Sequence, residues 1–277
     1  MSINVEQLIG RLRDDPNDAR AFSALKNFYL EIGDSQSLAS LLSRWAEHSA
    51  DRGEAANALR EAGDAVLEGL DDADQALDLY QRALERYPFC DEAAEQIQLL
   101  LENRCEHQKL AGFLVNRIRV LRSVDADPHY LALLHFRLGE VLNKHLGRPE
   151  KALGDYRQAA ELDPSLLIAI FEAREIVLGS GDLQEACSLY EQEADAEEDS
   201  ERKAGLLVEL ARVKAEHLDD LDGAIEALRG ASAAVPGDIL VMHELATHLL
   251  KRAESEDEQA AATDQRQIGR ASCRERG

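Results

Sequence analysis

The sequence predicts an all-α solenoid of stacked antiparallel helix hairpins, and three observations predict it. Pro16, Pro88, Pro164 and Pro236 recur at spacings of 72, 76 and 72 residues. The segments before the last three of these prolines align without gaps, on small and bulky residues at helical spacing. Ala, Leu, Glu, Asp and Arg dominate a chain with only 5% aromatics. Alanine and leucine are strong helix formers, and the β-branched runs that mark a sheet are nearly absent.

A short helix is expected first, over about Val5–Arg13, and Asp15-Pro16 stops it. Proline lacks the N–H donor and drives the residue before it out of the helical region. The same stop returns at Tyr87-Pro88, Asp163-Pro164 and Val235-Pro236, so one structural unit repeats. Hairpins at 17–50, 89–123 and 165–197 follow the first three prolines. They align through Gly33-Asp34, Cys105-Glu106 and Gly181-Asp182, each seventeen residues beyond its proline. Glycine suits the left-handed position after a helix, and aspartate caps the next one. The second helices then begin alike, at Leu38-Ala39-Ser40-Leu41-Leu42, Leu110-Ala111-Gly112-Phe113-Leu114 and Ala186-Cys187-Ser188-Leu189-Tyr190.

Alternating with these are more regular hairpins at 53–88, 127–164 and 199–236. They read Gly63 … Ala76-x3-Tyr80-x2-Ala83-x4-Pro88, Gly139 … Ala152-x3-Tyr156-x2-Ala159-x4-Pro164 and Ala211 … Ala224-x3-Leu228-x2-Ala231-x4-Pro236. In each, thirteen positions separate the first small residue from the second. Spacings of three, four and seven place such residues on one helix face, where alanines permit close crossing. Six full hairpins result, closed by a lone helix over 238–253, and residues 1–253 form the array. A hairpin cannot bury its apolar face alone; stacking supplies the continuous core.

These three regular hairpins resemble the tetratricopeptide repeat family, whose second helix carries Ala-x3-aromatic-x2-Ala-x4-Pro after a small residue in the first. The turn between the helices is one residue longer here than the family norm. The resemblance implies a right-handed superhelical solenoid whose first helices line a concave groove. It also implies groove-lining residues. On the second hairpin these are Asn57, Arg60, Asp64, Leu67 and Glu68; on the fourth, Leu133, Phe136, Glu140, Asn143 and Lys144; on the sixth, Val208, Arg212, Ala215 and Glu216. The expected function is a non-catalytic scaffold for protein–protein interaction, holding an extended peptide or a partner helix in that groove. Two alternatives stand beside it: a structural spacer or assembly subunit in a long array, and the non-catalytic arm of a larger enzyme or signalling protein.

The formal net charge of −23, from 54 acidic and 31 basic residues, bounds the partners. So acidic a surface repels phosphate backbones and anionic lipids, so nucleic acid and membranes are not expected as partners. A basic or mixed-charge protein segment is. Apolar runs such as Leu166 to Phe171 are far shorter than the ~20 residues that cross a bilayer. The opening, Met1-Ser2-Ile3-Asn4-Val5-Glu6, lacks the basic and apolar regions of a signal peptide. Cys90, Cys105, Cys187 and Cys273 form no CxxC and no zinc spacing; the first three read as small apolar residues in a reducing compartment. A cytoplasmic location is therefore expected.

No cofactor, metal or small-molecule substrate is expected. His243 and His248 are five residues apart, and a zincin helix needs four. Asp71-Asp72-Ala73-Asp74 and Asp219-Asp220-Leu221-Asp222 lack the glycine and glutamate of a calcium loop, and read as caps of second helices. No Gly-rich phosphate loop or Gly-x-Ser-x-Gly elbow is present; Gly139 and Gly154 lie within helices. His135 is read as core, and Trp45 as packing between repeats. Residues 254–277 read as a polar, disordered tail. Within it, 264–277 carries +2 in a chain otherwise at −25. The run Gln267–Arg276 resembles translated adapter sequence, so 264–277 is read as non-native and the chain as the N-terminal part of a longer array. The apolar Ile239, Leu240, Met242, Leu245, Leu249 and Leu250 agree with this, having no partner helix in the sequence.

Overall fold

Helices, eight of them capped by aspartate, account for nearly all of the computed structural model, which describes residues 4–255. The expectations for the tail therefore fall outside the described residues from 256 onward. The chain divides into two compact units, Met1–Ala126 and Asp127–Gly277. The first holds α1 (Val5–Asp14), α2 (Ala19–Ile32), α3 (Ser35–His48), α4 (Arg52–Leu70), α5 (Ala73–Arg86), α6 (Asp91–Asn103) and α7 (His107–Ser123). The second holds α8 (Pro128–Glu140), a π-turn (Val141–His145), α9 (Pro149–Leu162), α10 (Leu167–Ser180), α11 (Leu183–Ala196), α12 (Ser200–His217) and α13 (Leu221–Ala234). Residues 239–255 are helical as well, and no strand occurs among the described residues. Within each unit, helices pack on their neighbours along the chain, as in α3 on α4 and α4 on α5, or α8 on α9 and α12 on α13.

Each proline stop works through the residue before it. Asp15, Tyr87 and Asp163 are extended, with φ −131°, −144° and −141°, and each N–H still closes the last turn onto the carbonyl four residues back. The starts belong to aspartate. Asp18, Asp34, Asp51, Asp72, Asp127, Asp182, Asp199 and Asp220 each accept a backbone N–H from the first turn of the helix they precede. Such a cap satisfies a donor that the helix cannot. Eight of the chain's 54 acidic residues are thus architectural.

Within every hairpin the chain reverses through one left-handed residue. These are Gly33, Cys105 and Gly181 in the odd hairpins, at φ 68°, 55° and 82°, and Asp71, Gly147 and Asp219 in the even ones, at 54°, 60° and 54°. Gly33 and Cys105 sit in the same closing motif. Asp34 N–H reaches back to the Tyr29 carbonyl, and Glu106 N–H to that of Leu101, at 3.0 and 2.9 Å. Cys105 is exposed, unlike the buried Cys90 and Cys187. It occupies a turn position rather than an apolar one, unlike the other two cysteines read as small apolar residues. In the fourth hairpin Arg148 replaces the capping aspartate and makes no side-chain cap. There the end of the first helix widens into the π-turn, with Leu146 N–H bonding the Val141 carbonyl at 3.1 Å.

The core repeats with the register. Ala76, Ala83, Ala152, Ala159, Ala224 and Ala231 are all fully buried, as are Tyr80, Tyr156 and Leu228. The Tyr80 ring lies over Gly63 and the Tyr156 ring over Gly139, so close that no Cβ would fit. Leu228 is less bulky, and its hairpin carries Ala211 in the glycine slot. One slot is filled by different chemistry each time: the residue 29 positions past the proline is Trp45, Arg117 or Glu193. Trp45 stacks on Phe22 with centroids 4.2 Å apart and packs beside Leu12 and Leu25. It packs on its own hairpin and on α1, the helix before Pro16, and so joins that hairpin to the element preceding it. Arg117 bonds Asp91 Oδ1 at 2.7 Å and the Pro88 carbonyl at 3.2 Å. Glu193 accepts from Arg174 Nε at 2.8 Å, and burial pushes its carboxyl above the ordinary glutamate value against the pull of that guanidinium.

Candidate functional site

The exposed faces of the first helices in the even hairpins are α4, α8 and α12. On α4 the apolar side is Ala55, Ala56, Leu59, Ala62, Gly63 and Val66, all buried. The other side presents Asn57 and Glu68 exposed, and Arg60, Asp64 and Leu67 half-buried. Asp64 is the organiser. It accepts the Tyr80 hydroxyl at 2.7 Å and pairs with Arg60 one turn earlier. Lys26 of α2 pairs with Glu61 beside them. Arg60, Asp64, Leu67, Glu68 and Tyr80 line a recess of about 300 Å³ with Glu92, Glu95 and Gln96 of α6.

On α8 and its π-turn, Leu133 and Lys144 are exposed, and Phe136, Glu140 and Asn143 are half-buried. Phe136 tilts against the Tyr156 ring, centroids 5.7 Å apart. Lys144 Nζ bridges Glu140 Oε1 at 2.9 Å and Glu172 Oε1 of α10 at 3.2 Å, and Arg137 adds a bond to Glu140 Oε2 at 3.0 Å. Burial pulls the Glu140 carboxyl up; the hydrogen bonds from Lys144 and Arg137 outweigh it and hold the group below the ordinary glutamate value. Tyr156 is the counterpart of Tyr80, but its buried hydroxyl behaves differently. The Asn143 amide is near enough to influence its titration, yet no group bonds it with hydrogen-bond geometry.

On α12 the picture changes. Arg212 and Glu216 are exposed, and Arg212 forks onto both oxygens of Glu209 at 3.0 Å. Val208 and Ala215 are half-buried and pack against the core, Val208 also beside Ala204, Ala231 and Val241. The chosen positions thus form one stripe on α4 and one on α8, while on α12 two of the four serve packing. Sequence reasoning missed Lys26, Glu61, Glu92, Glu95 and Glu172, which reach these stripes from α2, α4, α6 and α10. Only the helical spacing of Glu61 beside Asp64 and Glu68 pointed to any of them.

His135 is buried and its Nδ1 meets Asp155 Oδ1 at 2.9 Å. No group of three or more His, Cys, Asp or Glu side chains among the described residues is placed to hold a metal. No helix among them is long and apolar enough to cross a membrane.

Residues 52–89 match the model of the tetratricopeptide repeat, so the second hairpin is such a repeat. Comparison with curated proteins finds no match. Among solved structures, the chain is similar to YrrB, described as a tetratricopeptide repeat protein with an unusual peptide-binding site. Identity is 21% and the TM-score 0.40, over 68% of this chain and 91% of that one. It is similar also to the C-terminal part of a repeat-containing protein from Cytophaga hutchinsonii, at 15% identity and TM-score 0.45, over 87% and 93% of the two chains. PilF of Pseudomonas aeruginosa gives 17% and 0.40, over 82% and 96%.

Proposed function

We propose that this protein is a non-catalytic interaction scaffold whose first-helix faces receive an extended peptide or a partner helix of basic or mixed charge. One observation carries the reading: the core slots repeat from hairpin to hairpin, whereas each slot on these faces changes charge or polarity in at least one hairpin. Positions 60, 136 and 208 are Arg, Phe and Val; 64, 140 and 212 are Asp, Glu and Arg; 68, 144 and 216 are Glu, Lys and Glu. Faces built on one hairpin plan but displaying different chemistry suit recognition of non-repetitive segments. A spacer would have no use for the variation. The Tyr80–Asp64–Arg60 and Arg137–Glu140–Lys144–Glu172 networks support it further, because charged side chains held in place lose less entropy on binding. Glu68, Glu92 and Glu95 line the α4 recess without an ion-pair partner among the described residues, which favours a basic segment.

The test begins with a pull-down and mass spectrometry to identify a partner. That partner is then titrated against the wild type, Phe136→Ala and Glu140→Lys across a salt series. Apolar anchors carry most of the affinity at such sites, so Phe136→Ala is expected to weaken binding by about tenfold or more. Affinity should also fall with salt, since exposed charges are screened beyond ~8 Å at physiological ionic strength. Unchanged affinity in both variants would move the site away from α8. The absence of any saturable partner would favour the spacer.

A further inference from the structure

The helical run over 239–255 carries an apolar stripe that nothing among the described residues covers. Ile239, Met242 and Leu250 are 80%, 53% and 66% exposed, and Ala246 and Ala253 are exposed with them. These five positions fall within about 80° of arc at 100° per residue, so they form one face. Register shows what such a face meets elsewhere. Met242 stands six residues past its proline, where the sister hairpins have Phe22, Ala94 and Ile170. Of those, Ala94 and Ile170 are buried and Phe22 is half-buried beneath Trp45 of α3. A face of this kind suits a helix as its occupant, as α3 covers Phe22 in the first hairpin.

Two features of the stripe point to the same helix in a second copy. First, it is symmetric about Ala246. Met242 and Leu250 lie four residues to either side, and Ile239 and Ala253 seven. Two such helices placed antiparallel across a two-fold axis at Ala246 would set Met242 against Leu250 and Ile239 against Ala253. The small residue would sit on the axis, where the backbones approach most closely. Second, 239–255 is electrically neutral, with Glu244 and Glu254 balanced by Lys251 and Arg252, in a chain of −23. Repulsion between two copies of an acidic molecule is least where the local charge vanishes.

We propose that this stripe is a self-association surface on which two copies of the chain pair their 239–255 helices antiparallel to form a closed dimer. The experiment is sedimentation equilibrium of the full chain over a wide concentration range. A monomer–dimer equilibrium is expected, with Met242→Glu and Leu250→Glu each raising the dissociation constant at least tenfold. Cysteine cross-linking in a Cys105→Ser, Cys273→Ser background tests the geometry. Ala246→Cys should oxidise to a covalent dimer. Ile239→Cys should not, because its two copies would lie about 21 Å apart along the axis, beyond the reach of a disulfide. A chain monomeric at every concentration would overturn the proposal. So would a dimer indifferent to both glutamates, one cross-linked through Ile239→Cys but not Ala246→Cys, or one that forms only after residues 256–277 are deleted.

Discussion

A methyl group added at Gly63 would stand 2.6 Å from the Tyr80 ring, and one at Gly139 2.6 Å from that of Tyr156. Both rings are fully buried and have nowhere to retreat. Gly63→Ala and Gly139→Ala should each destabilise the chain in urea by about 1–3 kcal/mol, less the ~1 kcal/mol that alanine gains inside a helix. Adding Tyr80→Leu to Gly63→Ala should restore part of the loss, because the sixth hairpin already pairs Ala211 with Leu228. Additive losses would show that the ring is not the obstacle. The two hydroxyls make a second contrast. Tyr80→Phe removes the bond to Asp64 and should cost about 0.5–1.5 kcal/mol, whereas Tyr156→Phe removes a buried hydroxyl with no hydrogen bond and should be neutral or stabilising. The small slot and the ring above it are both readable from the aligned sequences. The difference between the hydroxyls is not, since it depends on Lys144 drawing Glu140 toward Glu172, a residue on another helix.

Helix ends are where this chain is most legible. Proline stops, Gly-Asp turns and aspartate caps act through neighbouring backbone, so local sequence carries them. Asp72→Ala and Asp220→Ala should each lower stability by about 0.5–2 kcal/mol, the usual cost of losing an N-cap. Cys105 offers the opposite case. It holds a left-handed conformation that glycine takes in the sister turns, so Cys105→Gly should stabilise the chain by up to ~1–2 kcal/mol, read as a higher urea midpoint. A lower midpoint would mean that its thiol contributes contacts the geometry does not reveal. Ala83→Leu and Ala159→Leu should overpack fully buried crossings and cost about 1–3 kcal/mol. The π-turn could not be read from sequence. The fourth hairpin's turn has the same length as its sisters', and only the missing aspartate at Arg148 sets it apart. The candidate faces were readable as positions, through the family resemblance, but not as networks. Lys26, Glu92 and Glu172 come from helices distant in sequence, and α12 loses Val208 and Ala215 to packing that depends on the helix after it.

Across the whole molecule, charge and helix ends act together. At neutral pH the excess of carboxylates opposes compaction, so added sodium chloride should raise the melting temperature by screening. Acid acts through individual groups. Backbone bonds, Ala21 N–H foremost, hold Asp18 below the ordinary aspartate value, and Ser37 does the same for Asp34. Because these folded values are depressed, their stabilisation is complete above the unfolded values and is lost as pH falls through the folded ones. Stability should therefore drop below about pH 4 even in high salt, where repulsion is already screened. The stacking of Trp45 on Phe22 has an optical consequence. It is the chain's only tryptophan, so indole emission reports on the first hairpin alone while far-ultraviolet ellipticity averages over every helix. Repeat arrays unfold through nearest-neighbour contacts, and the first hairpin is flanked on one side by the single helix α1 where the later ones meet a full hairpin. The emission transition should therefore come at lower urea than the ellipticity transition. Coincident curves would instead show that the first hairpin melts with the rest as one cooperative body.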